Sequence, residues 1–479
     1  MLTAKSLTKW YGDTEIFSDI NLKIGNGKKV GLVGRNGCGK STLFKILNGE
    51  EESTSGNIES QNEIFGYIPQ EFNFPDELVG EYLEKSLENS WEIYKIESLA
   101  ERLQFHNFDQ YQKINTLSEG QKMKVKLIEE LLKSPTTLFI DEPTNHLDIE
   151  GIMWLEEYIK EIPQTIIMIS HDRSFLNHTV DEIWEIDKHT MYRFVGDYDN
   201  YKTEKLKLID SWNEEYVRFL KKKAQLEKLL ENVRKMKSDK RGNAVKAAKK
   251  RIEREVTSQE KELYVSKSIA SVAFDTDVRS SKLMLRFNSV SKSYGTKKVF
   301  ENLDFEIRGK EKVWLFGPNG AGKTTLVKMI MNQEPTTEGT IRLGENIKIG
   351  YFSQIPLQNT TNENLMQFFT RETGLYEGEA YGNLKRFLFD KDATRKRIWQ
   401  LSPGERARFA FAIFASKNYD LLILDEPDNH LDIDTKEVLE KSLSEFTGTL
   451  LLVSHDRYFV ESVGINKVLN LKDGKLNFL

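Results

Sequence analysis

The chain has 479 residues, enough for two or three domains with cores of their own, and a single cysteine, Cys38, which excludes a disulfide framework or cysteine-cluster zinc site and fits a reducing compartment. Its apolar runs, such as TIIMIS and TLLLV, are too short to span a bilayer, and the opening MLTAKSLTKWYG lacks the apolar core of a secretory signal. The net charge of −5 is unevenly spread: residues 234 to 254 carry ten Lys or Arg against Asp239 and Glu253, a basic insert on an acidic body that hints at a polyanionic partner.

In chain order, LKIGNGKKVGLVG alternates and then feeds an apolar run into GRNGCGKS (34 to 41) and the helix-like STLFKILNG. Strand, glycine loop and helix in that order predict the start of a P-loop nucleotide-binding α/β unit. Gly34, Asn36, Gly37 and Gly39 shape a loop whose backbone N–H groups turn toward phosphate oxygens, with Thr42 just beyond it, while Lys40 adds positive charge near the terminal phosphates. Gln70 and LSEGQ (117 to 121) follow; TTLFIDEP then predicts a fully buried parallel strand ending in Asp141 and Glu142, and TIIMISHD repeats the pattern with His171 at its tip. Ser41, Asp141 and Gln70 form a candidate Mg²⁺ set; Glu142, one residue past the aspartate, is placed to orient or deprotonate an attacking water, and His171 to touch a γ-phosphate. Cys38 reads as a small residue in a tight turn.

From about residue 198 to 265 there is no proline, and an apolar stripe runs through Leu206, Ile209, Trp212, Tyr216, Phe219, Leu226, Leu230 and Val233. A second stripe follows at Val245, Ala248, Ile252 and Val256, with Gly242 as a helix stop and Asn243 as a new start. The pattern predicts a helical hairpin whose first arm of about 38 residues extends roughly 55 Å, a shorter second arm, and an irregular strap over 265 to 283. The basic residues Arg234, Lys235, Lys237, Lys240, Arg241, Lys246, Lys249, Lys250, Arg251 and Arg254 cluster at its tip. Alone, such a run is most simply a solvated face; as RNA contacts, these cations would meet backbone phosphates.

The motif set then repeats as GPNGAGKT (317 to 324), Gln354, LSPGE (401 to 405), ILDEP (423 to 427) and His455. Glutamine to signature serine is 48 residues in both halves, signature serine to aspartate 23, and glutamate to histidine 29. Matched spacings of this kind indicate a duplicated domain. The second site therefore uses Gly317, Asn319, Gly320, Gly322, Lys323, Thr324 and Thr325, with Thr324, Gln354 and Asp425 for the metal and Glu426, His455 and Gln354 for the chemistry. Boundaries fall at 1–197, 198–282 and 283–479: two α/β P-loop domains joined by a basic helical hairpin.

LSEGQ and LSPGE, each ahead of a DEP segment, resemble the ATP-binding cassette ATPases, and the resemblance covers nearly the whole chain. It implies composite ATP sites, with Ser402 and Gly404 completing the site of Lys40, and Ser118 and Gly120 that of Lys323. It also makes Tyr11 and Tyr294, each 23 residues before its loop, the aromatics that stack on adenine. Two cassettes on one chain, EPTNHLDI and EPDNHLDI, and a charged helical linker look like the ABC-F subfamily. What that implies is a cytoplasmic ATPase using ATP and Mg²⁺, a monomer whose cassettes pair within the chain and which needs no membrane subunit. It would bind the ribosome on the large subunit near the E site in its ATP state, with the linker reaching P-site tRNA, rRNA and the peptidyl-transferase centre, as a translation factor or in antibiotic resistance. A transporter's energising subunit and a nucleic-acid maintenance ATPase are the competing readings; the basic hairpin disfavours the first, and the absent zinc cysteines and C-terminal coil the second. Glu119 and Pro403 depart from the glycine common in the signature, and Asp428 replaces the threonine seen at Thr144; both sites are still expected to function.

Overall fold

The computed structural model describes residues 2–60, 63–87, 89–105, 108–145, 147–235, 245–250, 253, 278–353, 362–429 and 431–478. The first half contains strands β1 (Leu2–Tyr11), β2 (Thr14–Ile24), β3 (Lys29–Gly34), β4 (Ser55–Glu59), β5 (Phe65–Ile68), β6 (Thr137–Asp141), β7 (Thr165–Ile169), β8 (Glu182–Asp187) and β9 (Thr190–Val195). Its helices are α1 (Lys40–Leu47), α2 (Val79–Glu84), α3 (Tyr94–Arg102), α4 (Glu119–Leu132), α5 (Ile149–Glu161) and α6 (Arg173–Thr179). Six strands form one sheet in the order β5-β6-β7-β3-β8-β9, parallel except for β9, and β2-β1-β4 form a separate antiparallel sheet.

Every residue of β6 and β7 is buried, as expected for central parallel strands covered on both faces. In register, Asp141 lies beside Ile169, so the acid ending β6 and the Ser170-His171 segment leaving β7 emerge at the same edge. Ligands in open α/β sheets gather at the carboxyl ends of the strands. A core of Phe17, Phe44, Phe139 and Trp184 beneath this edge fixes the sheet against α1 and the antiparallel sheet.

A long helix, α7 (Tyr198–Lys235), comes next; it spans 38 residues, about 57 Å at 1.5 Å per residue. Its better-covered positions include Leu208, Trp212, Tyr216, Phe219, Leu226 and Leu230, a seam along one face at the spacing of an ordinary α-helix. Leu206, placed in the stripe by sequence, is 56% exposed; it falls off that seam, where Leu208 takes its place. Residues 245–250 are helical and their Lys246, Lys249 and Lys250 are exposed. The expected turn at 242 to 243 and most of the strap lie outside the described residues, as do Lys237, Lys240, Arg241, Arg251 and Arg254 and the side chains of Arg234 and Lys235.

The second half repeats the first. It runs through β10 (Leu283–Tyr294), β11 (Lys297–Arg308), β12 (Lys312–Phe316), α8 (Lys323–Ile330), β13 (Glu338–Leu343), β14 (Ile349–Phe352), α9 (Leu365–Thr373), α10 (Glu377–Arg386) and α11 (Pro403–Ala415). Then come β15 (Leu421–Asp425), α12 (Ile433–Glu445), β16 (Thr449–Val453), α13 (Arg457–Val463), β17 (Lys467–Lys472) and β18 (Lys475–Phe478). The sheet order β14-β15-β16-β12-β17-β18 is the first sheet's order transposed, and Asp425 sits beside Val453 as Asp141 does beside Ile169. No helix among the described residues is long and apolar enough to cross a membrane.

Candidate nucleotide sites between the cassettes

Each phosphate loop turns on a left-handed glycine that caps the following helix: Gly39 at φ 99 and Gly322 at φ 101. No other residue fits, because a Cβ would lie 2.4 Å from Ile16 Cγ2 in the first and 2.5 Å from Val299 Cγ1 in the second. Lys40 Nζ donates to the carbonyls of Gly34 and Arg35 at 2.7 and 3.1 Å; Lys323 repeats this with Gly317 and Pro318 at the same distances. Both ammonium groups are thus folded over their own loops, at the start of the following helix.

The signature serines have a local structural task as well. Ser118 Oγ accepts from Gln121 N at 3.3 Å while Gln121 Oε1 accepts from Ser118 N at 2.9 Å, a reciprocal capping box at the start of α4. Ser402 and Glu405 do the same for α11, with 3.2 and 2.9 Å. Pro403 occupies the first helical position, where its missing N–H costs nothing and its fixed φ suits the helix. Glu119 also fits its place, pairing with Lys122 at 2.7 Å one turn on. Both departures in the signatures are therefore compatible with the helix start.

A cavity of about 500 Å³ lies between the two halves, and it brings Tyr11, Lys40, Gln70, Asp141, Glu142 and His171 of the first half together with Ser402 and Gly404 of the second. Asn36, Gly37, Gly39, Ser41 and Thr42 line it too. A second cavity, about 360 Å³, holds Ser118, Gly120 and, from the opposite loop, Asn319. Lys323, Thr324, Asp425 and Glu426 do not line this second cavity, and His455 lines the first. Gln354 lies outside the described residues. Tyr11 and Tyr294 are equally exposed at 49%, each with a lysine over its ring, Lys9 at 5.0 Å and Lys292 at 4.7 Å. An aromatic face held open at a strand end by a neighbouring cation suits stacking against a planar base.

Glu142 and Glu426 both adopt a left-handed backbone, φ 47 and 50, a conformation that costs a non-glycine residue energy and clusters at functional sites. The turn is held because Glu142 N donates to Ile169 O at 2.9 Å and Glu426 N to Val453 O at 2.8 Å. His171 faces the first carboxylate, its N donating to Glu142 Oε2 at 3.2 Å and its Nε2 lying 3.4 Å from Oε1; His455 Nε2 is 3.7 Å from Glu426 Oε1. Burial pushes the Glu142 carboxyl up to about 7, with Lys40 opposing. Burial, with Lys40 and Lys436, holds His171 well below its ordinary value, and burial with Lys323 brings His455 down to about 4. Both imidazoles are neutral at physiological pH. Asp141 and Asp425 are pushed up by burial and drawn back by the lysine and hydroxyl of their own loops; Ser41 Oγ lies 3.4 Å from Asp141 Oδ2.

The halves are clamped by charges exchanged across the interface. Arg173 binds Glu440 through both nitrogens, Nη1 to Oε2 at 3.0 Å, and Arg457 binds Glu156; the two pairs occupy the same positions with the halves swapped. Arg35 of the first loop donates to Asp434 at 3.0 and 3.1 Å, and Asp148 Oδ2 accepts from Asn319 N at 3.1 Å. None of these clamps was foreseen from sequence. Lys436 was missed as well, although comparison of the halves offers a signal: it stands where the first half has Ile152, just as Asp428 stands where the first has Thr144.

With tandem sheets, duplicated loops and a signature serine lining the opposite lysine's cavity, the comparisons with known proteins agree. The model of the family described as ABC transporter matches residues 17–145 and 300–429. ABC transporter F family member 2 of Arabidopsis thaliana is 30% identical, over 98% of this chain and 76% of that protein. The chain belongs to the ABC-F subfamily of ATP-binding cassette ATPases. Two bacterial relatives match this ABC-F protein at similar levels. Ribosome protection protein VmlR of Bacillus subtilis is 30% identical over 96% of this chain and 85% of its own, and energy-dependent translational throttle protein EttA of Escherichia coli is 31% identical over 97% and 90%. Among solved structures, archaeal ribosome recycling factor aABCE1 superposes with a TM-score of 0.65 at 22% identity, covering 97% of this chain and 87% of that one; at that identity the likeness concerns the fold. The protein is an ATP-binding, ATP-hydrolysing enzyme.

Proposed function

We propose that this ABC-F ATPase is a cytoplasmic ribosome-binding protein whose cassettes close on ATP and part after hydrolysis, and whose helical linker, closed, lies near P-site tRNA and the peptidyl-transferase centre. The observation that carries the switch is the cavity shared by Lys40 with Ser402 and Gly404: ATP seated on one loop meets the other cassette's signature, so nucleotide and closure are one equilibrium. The ribosome enters through the relatives, one named a ribosome protection protein and another a translational throttle protein. Exposed Lys246, Lys249 and Lys250 on the linker fit contact with RNA phosphates.

In this reading Lys40 and Lys323 leave their loop carbonyls to bind phosphate, and Tyr11 and Tyr294 stack on adenine. Ser118 with Gly120, and Ser402 with Gly404, close over the γ-phosphate from the opposite cassette. Glu142 and Glu426 take a proton from or orient the attacking water, with neutral His171 and His455 beside them. Among the described residues no three His, Cys, Asp or Glu side chains gather as a metal cluster. One buried carboxylate next to one hydroxyl, Asp141 with Ser41 and Asp425 with Thr324, is instead the spare donor set that suits Mg²⁺ bound largely through nucleotide phosphates. Gln70 and Gln354 complete that set. Bound there, Mg²⁺ would neutralise phosphate charge.

The test is ribosome co-sedimentation of the Glu142→Gln, Glu426→Gln double variant with ATP. The variant should pellet with ribosomes and block translation in a cell-free system. A trapped protein that stays in the supernatant, or pellets with membranes or DNA instead, refutes the ribosome reading. Replacing Lys246, Lys249 and Lys250 by glutamine should weaken ribosome binding and flatten its salt dependence while nucleotide binding persists.

A further inference from the structure

Lys436 is a charged side chain in a place where its twin, Ile152, is a buried apolar one. It is 5% exposed, on the first turn of α12, and its Nζ donates to Asp456 Oδ2 at 2.9 Å and to the backbone carbonyl of His171 at 3.2 Å. Those partners belong to different cassettes. Asp456 directly follows His455 and caps α13 through Phe459 N at 2.9 Å; His171 belongs to the matching segment of the first cassette, where Asp172 caps α6 through Phe175 N at 2.9 Å. One ammonium thus touches both switch-histidine segments, and Asp172 and Asp428 add attraction from either side. At the matching positions the first cassette has Thr144 and Ile152, so Lys436 and Asp428 have no charged twins there.

We infer that Lys436, made tolerable in the core by Asp428, is a positioning residue for hydrolysis at the site built on Lys40. It holds the His171 carbonyl, and His171 in turn meets Glu142 through both its backbone N–H and its Nε2. The second cassette thereby sets the geometry of the first cassette's water-activating pair through a side chain that reaches the shared cavity from the opposite half, and the two sites are not interchangeable.

This rests on the roles proposed for Glu142 and His171. Glu426→Gln is used to report the site of Lys40, and Glu142→Gln the other; if the Glu426→Gln parent hydrolyses no ATP, the role of Glu142 fails, not that of Lys436. In the Glu426→Gln background, Lys436→Met should lower kcat at least tenfold with KM for ATP within about twofold. In the Glu142→Gln background kcat should stay within threefold. The pair Asp428→Thr, Lys436→Ile copies the first cassette and removes the buried charges together. It should recover thermal stability but leave kcat in the Glu426→Gln background at least tenfold down, because the bond to the His171 carbonyl is still missing. A purely structural lysine predicts the opposite, recovery of stability and kcat together. That result, an unchanged kcat in Lys436→Met, or equal losses in both backgrounds would overturn the inference. Should Lys436→Met fail to fold, the paired variant carries the same reading alone.

Discussion

Glu142 is a buried carboxyl whose neutral form the fold prefers, and replacing it by glutamine should stabilise the nucleotide-free protein in a pH-dependent way. Burial raises it from an ordinary 4.5 to about 7. A raised acid contributes stability that is fully present below the unfolded value of 4.5 and lost as pH rises through about 7, since the unfolded chain ionises freely while the folded one resists. Two and a half pH units at 1.36 kcal/mol each amount to about 3 kcal/mol. In a cassette of ordinary domain size that is several degrees of Tm. Glutamine keeps the shape and removes the ionisation, so Glu142→Gln should melt several degrees above the parent at pH 8 and close to it at pH 5. The assay is thermal unfolding of both proteins without nucleotide at the two pH values. An offset that is the same at both, or that grows toward acid, refutes the claim that desolvation governs this carboxyl.

The same group predicts a rate profile: in the Glu426→Gln background, hydrolysis at saturating ATP should rise with pH through about 7 with a slope near one, because the base must be ionised; a flat profile between pH 6 and 8 counts against Glu142 as base. Arg173 is fully buried and Arg457 is 26% exposed, so Arg173→Ala, which strands Glu440, should cost about 3 kcal/mol or more and Arg457→Ala clearly less, as read by urea unfolding. Ser402→Asp keeps a good helix cap, so stability should stay within about 0.5 kcal/mol. ATP binding at the Lys40 site should fall at least tenfold, seen with a fluorescent nucleotide in the Glu142→Gln background; unchanged affinity would remove Ser402 from that site.

Much of this arrangement was legible because it repeats. The glycine loops, β6 and β15 ending in acids, and the signature serines recur at equal spacing, and each is a local pattern whose chemistry and backbone need coincide. Composite pairing follows only from family resemblance; Ser402 and Gly404 lie on the cavity lined by Lys40, whereas Lys323 does not line the cavity of Ser118 and Gly120. What sequence hides is the clamp. Arg173 and Glu440 are 267 residues apart, and neither stands out in a helical pattern, since charged residues on α6 and α12 look like solvent-facing ones until two surfaces meet. The left-handed Glu142 and Glu426 are equally invisible in composition, because glycine rather than glutamate is the usual mark of that backbone. In the linker stripe, Leu206 lies six residues before Trp212, about one and two-thirds turns at 3.6 residues per turn, so it points well off the covered face and is exposed.

The signature serines show how a helix cap can leave a hydroxyl ready for the proposed contact with nucleotide. In each capping box the hydroxyl oxygen accepts one hydrogen bond, from Gln121 N or Glu405 N. A serine hydroxyl has a second lone pair and its own proton to give, so the cap leaves the O–H free to donate to phosphate. The cap also fixes the rotamer, and it places that donor at the positive end of α4 or α11, where the helix itself attracts an anion. Under the proposed closure, capping pre-organises the contact. Ordering the serine is settled during folding, and binding at the interface need not supply it. Pro403 strengthens the same device by stiffening the first turn of α11, which makes a substitution that looks like a defect in the motif consistent with a working site.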